Sequence, residues 1–161
     1  MTKQLNKKGT SLVELIAVIV IMGIIAGIAV PVTIAVINRQ KKNAAAKSAE
    51  AVVATIKQLT QELIAQADTS VTITLTYGTK GNTPSAVSVL IDGEDKSSSY
   101  PKDEFTVENL SATGSIESKY ELSGAKYTFS TPASGTQFAV NGYKITVAAD
   151  GSATAGAKVT E

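Results

Sequence analysis

The sequence predicts an α+β fold: a long N-terminal helix, membrane-spanning in its first half and amphipathic in its second, packed on a small antiparallel β-sheet head. Three observations carry this. Leu15 to Ile37 is a stretch of 23 residues without a charge. Ala45, Ala49, Val52, Ile56, Leu59 and Leu63 then recur at spacings of four and three, the stripe of a helix with one apolar face. From Val71 the period drops to two, with Val71, Ile73, Leu75 and Tyr77 alternating with Thr72, Thr74 and Thr76.

The apolar stretch comes first. As a helix it would extend roughly 35 Å at about 1.5 Å per residue, enough for a hydrocarbon core of about 30 Å. Lys3, Lys7 and Lys8 precede it, with no acid before Glu14, which favours a cytoplasmic N-terminus. Arg39, Lys41 and Lys42 follow it closely and weaken that orientation argument without reversing it. A secretory signal needs an apolar core of only about 7–15 residues before a small-residue cleavage site. Gly27-Ile28-Ala29 offers such a site, yet the run continues past it to Ile37. A plain membrane anchor fits the length but leaves Glu14, one step before the run, without a purpose. A carboxylate in a bilayer costs roughly 2.5–3.5 kcal/mol at mid-span, so such a residue usually has a partner and a task.

Beyond Asn43, Ala44-Ala45-Ala46 strongly favours helix. Lys47, Glu50, Lys57 and Gln61 fall on a face away from the apolar stripe. One helix from Ser11 to Ala67 is expected, roughly 85 Å long at 1.5 Å per residue, its second half docked on a sheet. In that sheet, Val71 to Tyr77 is the first strand, Gly78 to Pro84 a turn and Ala86 to Ile91 the returning strand. Phe105 to Leu110 reads as a weaker strand or loop, and Lys126 to Ser130 as a strand. Phe138 to Val140 and Tyr143 to Val147 flank Asn141-Gly142, a strong two-residue hairpin signal. Asp92 to Pro101 and Ser111 to Gly124 read as loops. The tail after Asp150 is expected to form an edge strand or to lie loose.

Composition excludes much chemistry. The chain has no Cys, His or Trp, which removes disulfides, thiolate catalysis and most transition-metal sites. Beyond Ile37 there are 12 basic and 13 acidic residues, unlike the strong positive balance of a nucleic-acid-binding domain. Asp103-Glu104 are adjacent and diverge on an extended chain, so they read as solvated acids rather than a catalytic pair. Asp92-Gly93-Glu94-Asp95 offers oxygens to Ca²⁺ but lacks the alternating spacing of a dedicated loop, and a solvated turn is the favoured reading. Arg39, Lys41, Lys42 and Lys47 could attract DNA, though lipid head groups or neighbouring subunits suit them better. The five Tyr are scattered and form no stacking platform in sequence. No enzyme activity, cofactor or metal is expected.

The segment Lys7-Lys8-Gly9-Thr10-Ser11-Leu12-Val13-Glu14, followed by the apolar helix, resembles the class III leader and N-terminus of type IV pilins. The resemblance covers residues 1 to about 60. It implies a leader at residues 1–9, a transmembrane and polymerisation helix at 10–37, an amphipathic helix at 38–67 and a β-rich globular head at 68–161. It further implies cleavage between Gly9 and Thr10 by a prepilin peptidase and N-methylation of Thr10. Counted from Thr10, Glu14 is fifth and Pro31 twenty-second, the family's places for an assembly acid and a helix proline. The mature chain begins Thr10-Ser11 where the family usually has Phe-Thr, a departure that bears on methylation more than on cleavage. The implied function is structural: a pilin, taken as the major one, in a cell-surface filament for adhesion, motility or DNA uptake. A minor pilin or a secretion-type pseudopilin shares these motifs, and a membrane-tethered surface binding protein is the rival from another class. The implied partners are further copies of the chain, the peptidase, the pilus assembly machinery and, before assembly, membrane lipid. Nucleic acid ranks last. The implied location is the cytoplasmic membrane for the precursor and then an extracellular pilus on a bacterial surface.

The residues also admit a physical account. Cleavage after Gly9 would create a positive amine four residues ahead of Glu14. In a bundle of parallel helices, Glu14 of one subunit could meet the Thr10 amine of its neighbour and fix their axial register. Pairing with its own terminus is the local alternative. Gly23 and Gly27 form a small-xxx-small pair that permits close helix approach, or are ordinary membrane-helix glycines. Pro31 leaves the Gly27 carbonyl without its amide donor, so Gly23, Gly27 and Pro31 mark the weakest part of the helix. It is expected to melt into extended chain within an assembled filament and so give extensibility, a mere kink being the alternative.

Overall fold

A computed structural model describes residues 12–132 and 136–159. The fold is α+β: one long, N-terminal apolar helix and an eight-stranded antiparallel sheet. Helix α1 spans Leu12–Leu63, and a 3₁₀ turn, Ile64–Gln66, tightens its end. The expected end at Ala67 is therefore slightly long, because Ala67 is already extended, with φ −109° and ψ 141°. The chain divides into two compact units, residues 1–40 and 41–161.

In the second unit, the stripe read from sequence is the buried face of the helix. Ala45, Ala49, Val52, Ile56, Leu59 and Leu63 are all buried, joined by Val53 and Thr60. Small residues open the stripe and larger ones follow, so burial per turn grows along it, at about 25 cal/mol per Å² of apolar surface. Thr60 satisfies its hydroxyl within the helix by donating to the Ile56 carbonyl at 2.8 Å.

The strands are β1 (Ser70–Gly81), β2 (Ala86–Ile91), β3 (Glu94–Asp95), β4 (Ala112–Glu121), β5 (Lys126–Ser130), β6 (Ala139–Val140), β7 (Tyr143–Val147) and β8 (Ala153–Lys158). Their order is β3-β2-β1-β4-β6-β7-β8, with β5 also paired to β4. In β1 the inward set Val71, Ile73, Leu75 and Tyr77 is buried and the intervening Thr residues are half-buried. Register holds that alternation across the sheet, since Ile73 pairs with Val89 on β2 and Leu75 with Ile116 on β4. Phe105, Leu110, Phe138, Val140 and Ile145 complete the core.

Several expectations need correction. Asp92 to Pro101 is not wholly a loop, since it holds the short strand β3, paired with β2, and a 3₁₀ turn at Ser97–Ser99. Ser111 to Gly124 is not a loop. It contains β4, which pairs with β1 along most of its length and with β5 and β6 on its other side. Its inward positions opposite Tyr77, Leu75, Ile73 and Val71 are Gly114, Ile116, Ser118 and Tyr120, too small and mixed to show an apolar alternation. The turn expected at Gly78 to Pro84 is shorter, because β1 runs on to Gly81 through a register shift after Tyr77. Phe105 to Leu110 holds no strand. It follows a 3₁₀ turn, Lys102–Phe105, and contributes Phe105 and Leu110 to the core. The hairpin at Asn141-Gly142 forms as read, both residues having positive φ (51° and 78°) as the turn requires. The tail forms the edge strand β8.

Candidate functional site: the apolar helix and its termini

From Leu12 to Ile37 every large apolar side chain is exposed, from 72% at Leu12 to 42% at Ile37. The helix is long and apolar enough to cross a membrane, with a mean hydropathy of 2.9 over its most apolar window and none of that window buried. Soluble proteins rarely expose contiguous apolar patches above a few hundred Å².

Of the residues singled out in sequence, Gly9 and Thr10 lie outside the described residues. Glu14 sits in the first turn of α1, where an acid favours the positive end of the helix dipole. Gly23 and Gly27 occupy the same face, and a Cβ added at either meets nothing within 4 Å. Neither glycine is therefore required by packing within the subunit. Pro31 lies inside α1, which continues through it as α-helix. Two residues on, Thr33 donates its hydroxyl to the Ala29 carbonyl at 2.8 Å, a back-bond that tends to bend helices slightly.

In the head, the acidic turn is built for structure. Asp92 accepts from the amides of Asp68 (2.8 Å), Thr69 (2.7 Å) and Ser70 (2.9 Å) and from the Thr69 hydroxyl (2.7 Å). Those donors, the Asp68 and Ser70 amides foremost, hold its carboxyl well below the usual carboxylate range. Asp95 accepts from the amide and hydroxyl of Ser97, and Glu94 pairs with Lys96 at 2.9 Å. The carboxylate oxygens of this turn thus face protein donors, and no metal-ligand cluster occurs among the described residues. Sequence reading missed the Asp92 role, although Asp-Gly is itself a hairpin signal. Asp92 and Gly93 both have positive φ (53° and 87°), joining β2 to β3.

Asp103 and Glu104 are exposed on the Lys102–Phe105 turn. Arg39, Lys41, Lys42 and Lys47 are exposed on α1, and Lys47 pairs with Glu50 at 2.6 Å. On the helix-facing side of the sheet, Lys57 lies 4.9 Å from the Tyr127 ring centroid and 5.7 Å from that of Phe129. Its ammonium donates to the Asp150 carbonyl at 2.5 Å. Tyr120, Tyr127 and Phe129 do form a row of ring contacts, with centroids 4.6 and 5.9 Å apart. Strand pairing between β4 and β5 brings them together, and linear spacing did not reveal it.

No family model matches this chain, and no curated protein or solved structure matches it either.

Proposed function

We propose that this chain is a type IV pilin-like subunit that polymerises through its N-terminal helix into a surface filament. The observation that carries the reading is the spacing of Gly9, Thr10, Glu14 and Pro31 around an uncharged 23-residue run. Its support is physical: in the single subunit that run is helical and wholly exposed. A membrane would cover it before assembly, and the same segments of other copies would cover it afterwards. Glu14 then has a partner in the Thr10 amine of a neighbour, where an uncompensated buried charge would be strongly unfavourable. The reading places the precursor in the cytoplasmic membrane and the product in an extracellular pilus, with Thr10 as its methylated terminus and the chain as the filament's main subunit.

Mass spectrometry of the N-terminal peptide from native cells tests it. A peptide beginning at Thr10 with one added methyl is expected. One beginning at Met1 would replace the filament with a membrane-tethered surface protein. Glu14→Ala is expected to leave membrane insertion intact and to reduce filament number, and normal piliation in that variant would remove Glu14 from assembly.

A further inference from the structure

A groove of about 320 Å³ opens where α1 meets the Lys102–Phe105 turn. Buried Leu59 and Phe105 line it together with exposed Glu62 and Glu104. Neither carboxylate pairs with an opposite charge among the described residues. Lys42 is likewise exposed and outside any such pair. It belongs to a basic stretch, Arg39 to Lys47, and no acid occurs in sequence between Glu14 and Glu50. The subunit therefore carries an acidic groove and, in Lys42, a cation on a basic helix segment, neither of them in an ion pair among the described residues.

Helix geometry sets how the two can meet. Lys42 and Glu62 are 20 residues apart on α1. At about 100° and 1.5 Å per residue, Glu62 lies roughly 200° around and about 30 Å along from Lys42. They project from nearly opposite sides at different levels, so one chain cannot bring them together. Two parallel copies in the same orientation can. A shift of about 30 Å along the helix places Lys42 of one copy level with Glu62 of the other, on facing sides. Such a contact joins two different surfaces, and its repetition generates an open array rather than a closed dimer.

We infer that the Glu62–Glu104 groove receives the Lys42 segment of a second copy of this chain, a different neighbour from the one whose Thr10 amine meets Glu14, and that this contact sets the stagger between those two copies. The inference rests on the filament reading above. The apolar helix supplies most of the association energy, while complementary charge selects register and excludes misaligned neighbours.

The test is charge reversal in the native cells, with sheared filament yield measured against precursor in the membrane. Lys42→Glu and Glu62→Lys are each expected to lower yield about tenfold. The combined variant is expected to recover to within about twofold of the unaltered chain, because the pair is restored with reversed sign. In parallel, Lys42→Cys with Glu62→Cys, introduced into a chain that has no cysteine, is treated with a short bismaleimide. Sheared filaments of the double variant should give a ladder of covalent multimers, and either single variant should not. Full yield from both reversals, no recovery in the combined variant, or filaments without a ladder would each overturn the contact while leaving the filament in place. Absence of filaments from the unaltered chain would instead remove the filament reading and this contact with it.

Discussion

Oδ1 of Asp92 lies 2.7 Å from both the amide nitrogen and the hydroxyl oxygen of Thr69. Thr69 is in the three-residue link between the 3₁₀ turn that ends at Gln66 and β1, which starts at Ser70. Asp92 is in the β2–β3 turn, and its own amide donates to the Ser70 carbonyl at 2.9 Å. One carboxylate thus supplies the acceptors that the chain needs as it turns from helix into sheet, and no side chain caps the 3₁₀ turn itself.

This arrangement predicts a specific pH dependence. Because the folded-state pKa of Asp92 is depressed, its stabilisation is fully present above the unfolded carboxylate value of about 3.9. It is lost as pH falls from there through the folded pKa. Asp92→Ala should lower Tm at pH 7, and Asp92→Asn by less, since an amide oxygen still accepts and Asn tolerates positive φ. Both variants should lose less stability than the unaltered chain between pH 4 and pH 2. Thermal melts of the full chain in detergent would show this, and parallel pH profiles for all three proteins would disprove it.

Gly114 and Gly142 make a matched pair for a second prediction. Both have positive φ, at 82° and 78°. A Cβ on Gly114 would lie 2.5 Å from the Gln137 carbonyl oxygen and closer still to that of Thr136, whereas one on Gly142 meets nothing within 4 Å. Gly114→Ala combines backbone strain of roughly 1–3 kcal/mol with overpacking of roughly 1–3 kcal/mol. Gly142→Ala should cost only about 1–2 kcal/mol. Urea denaturation midpoints give the ordering, and equal costs would mean that the backbone around Gly114 relaxes freely.

Among the described residues, two buried hydroxyls have no hydrogen-bond partner, Tyr77 Oη and Ser118 Oγ. An unsatisfied buried group costs roughly 1–3 kcal/mol, so Tyr77→Phe and Ser118→Ala should each stabilise the head, by about 1 kcal/mol. Burial also raises the Tyr77 pKa, so Tyr77→Phe should remove a late-ionising phenol from an alkaline absorbance titration. A fold destabilised by either substitution would point to an ordered water on that hydroxyl.

Lys57 offers a fourth test. Its ammonium bridges the Tyr127 and Phe129 rings of β5 to the Asp150 carbonyl in the β7–β8 turn. Lys57→Met keeps most of the apolar stem but removes the charge, and should cost about 0.5–2 kcal/mol. Because cation–π attraction at a half-buried site is only weakly screened, the loss should change little between low and high salt. A marked salt dependence would assign the effect to long-range charge instead.

How much of the site could be read in advance follows from where its physics resides. Gly9, Thr10, Glu14 and Pro31 are legible as a linear motif because the proposed leader cleavage and the helix both depend on linear spacing. Their proposed work lies between subunits, so a single subunit shows little of it beyond an acid in a first helical turn and a proline within an intact helix. The Lys42 and Glu62 relationship was within reach of sequence, since helical phase follows from residue number. The groove was not, because Glu104 and Phe105 reach it only after the sheet has folded.

By itself the sequence determined those elements whose signal is contained in neighbouring residues. These are the uncharged helix, the stripe from Ala45 to Leu63, the alternation from Val71 to Tyr77 and the Asn141-Gly142 turn. Tertiary structure alone decided that Ala112 to Glu121 is a central strand, that Asp92 closes the turn from helix to sheet, and that Gly114 lies hard against the Thr136 and Gln137 backbone. The physical reason is common to all three. Periodicity reports which face of an element meets apolar surroundings, and large side chains write it clearly. A strand held by partners on both sides needs no large side chains of its own, and a carboxylate or glycine takes its meaning from backbone atoms tens of residues away.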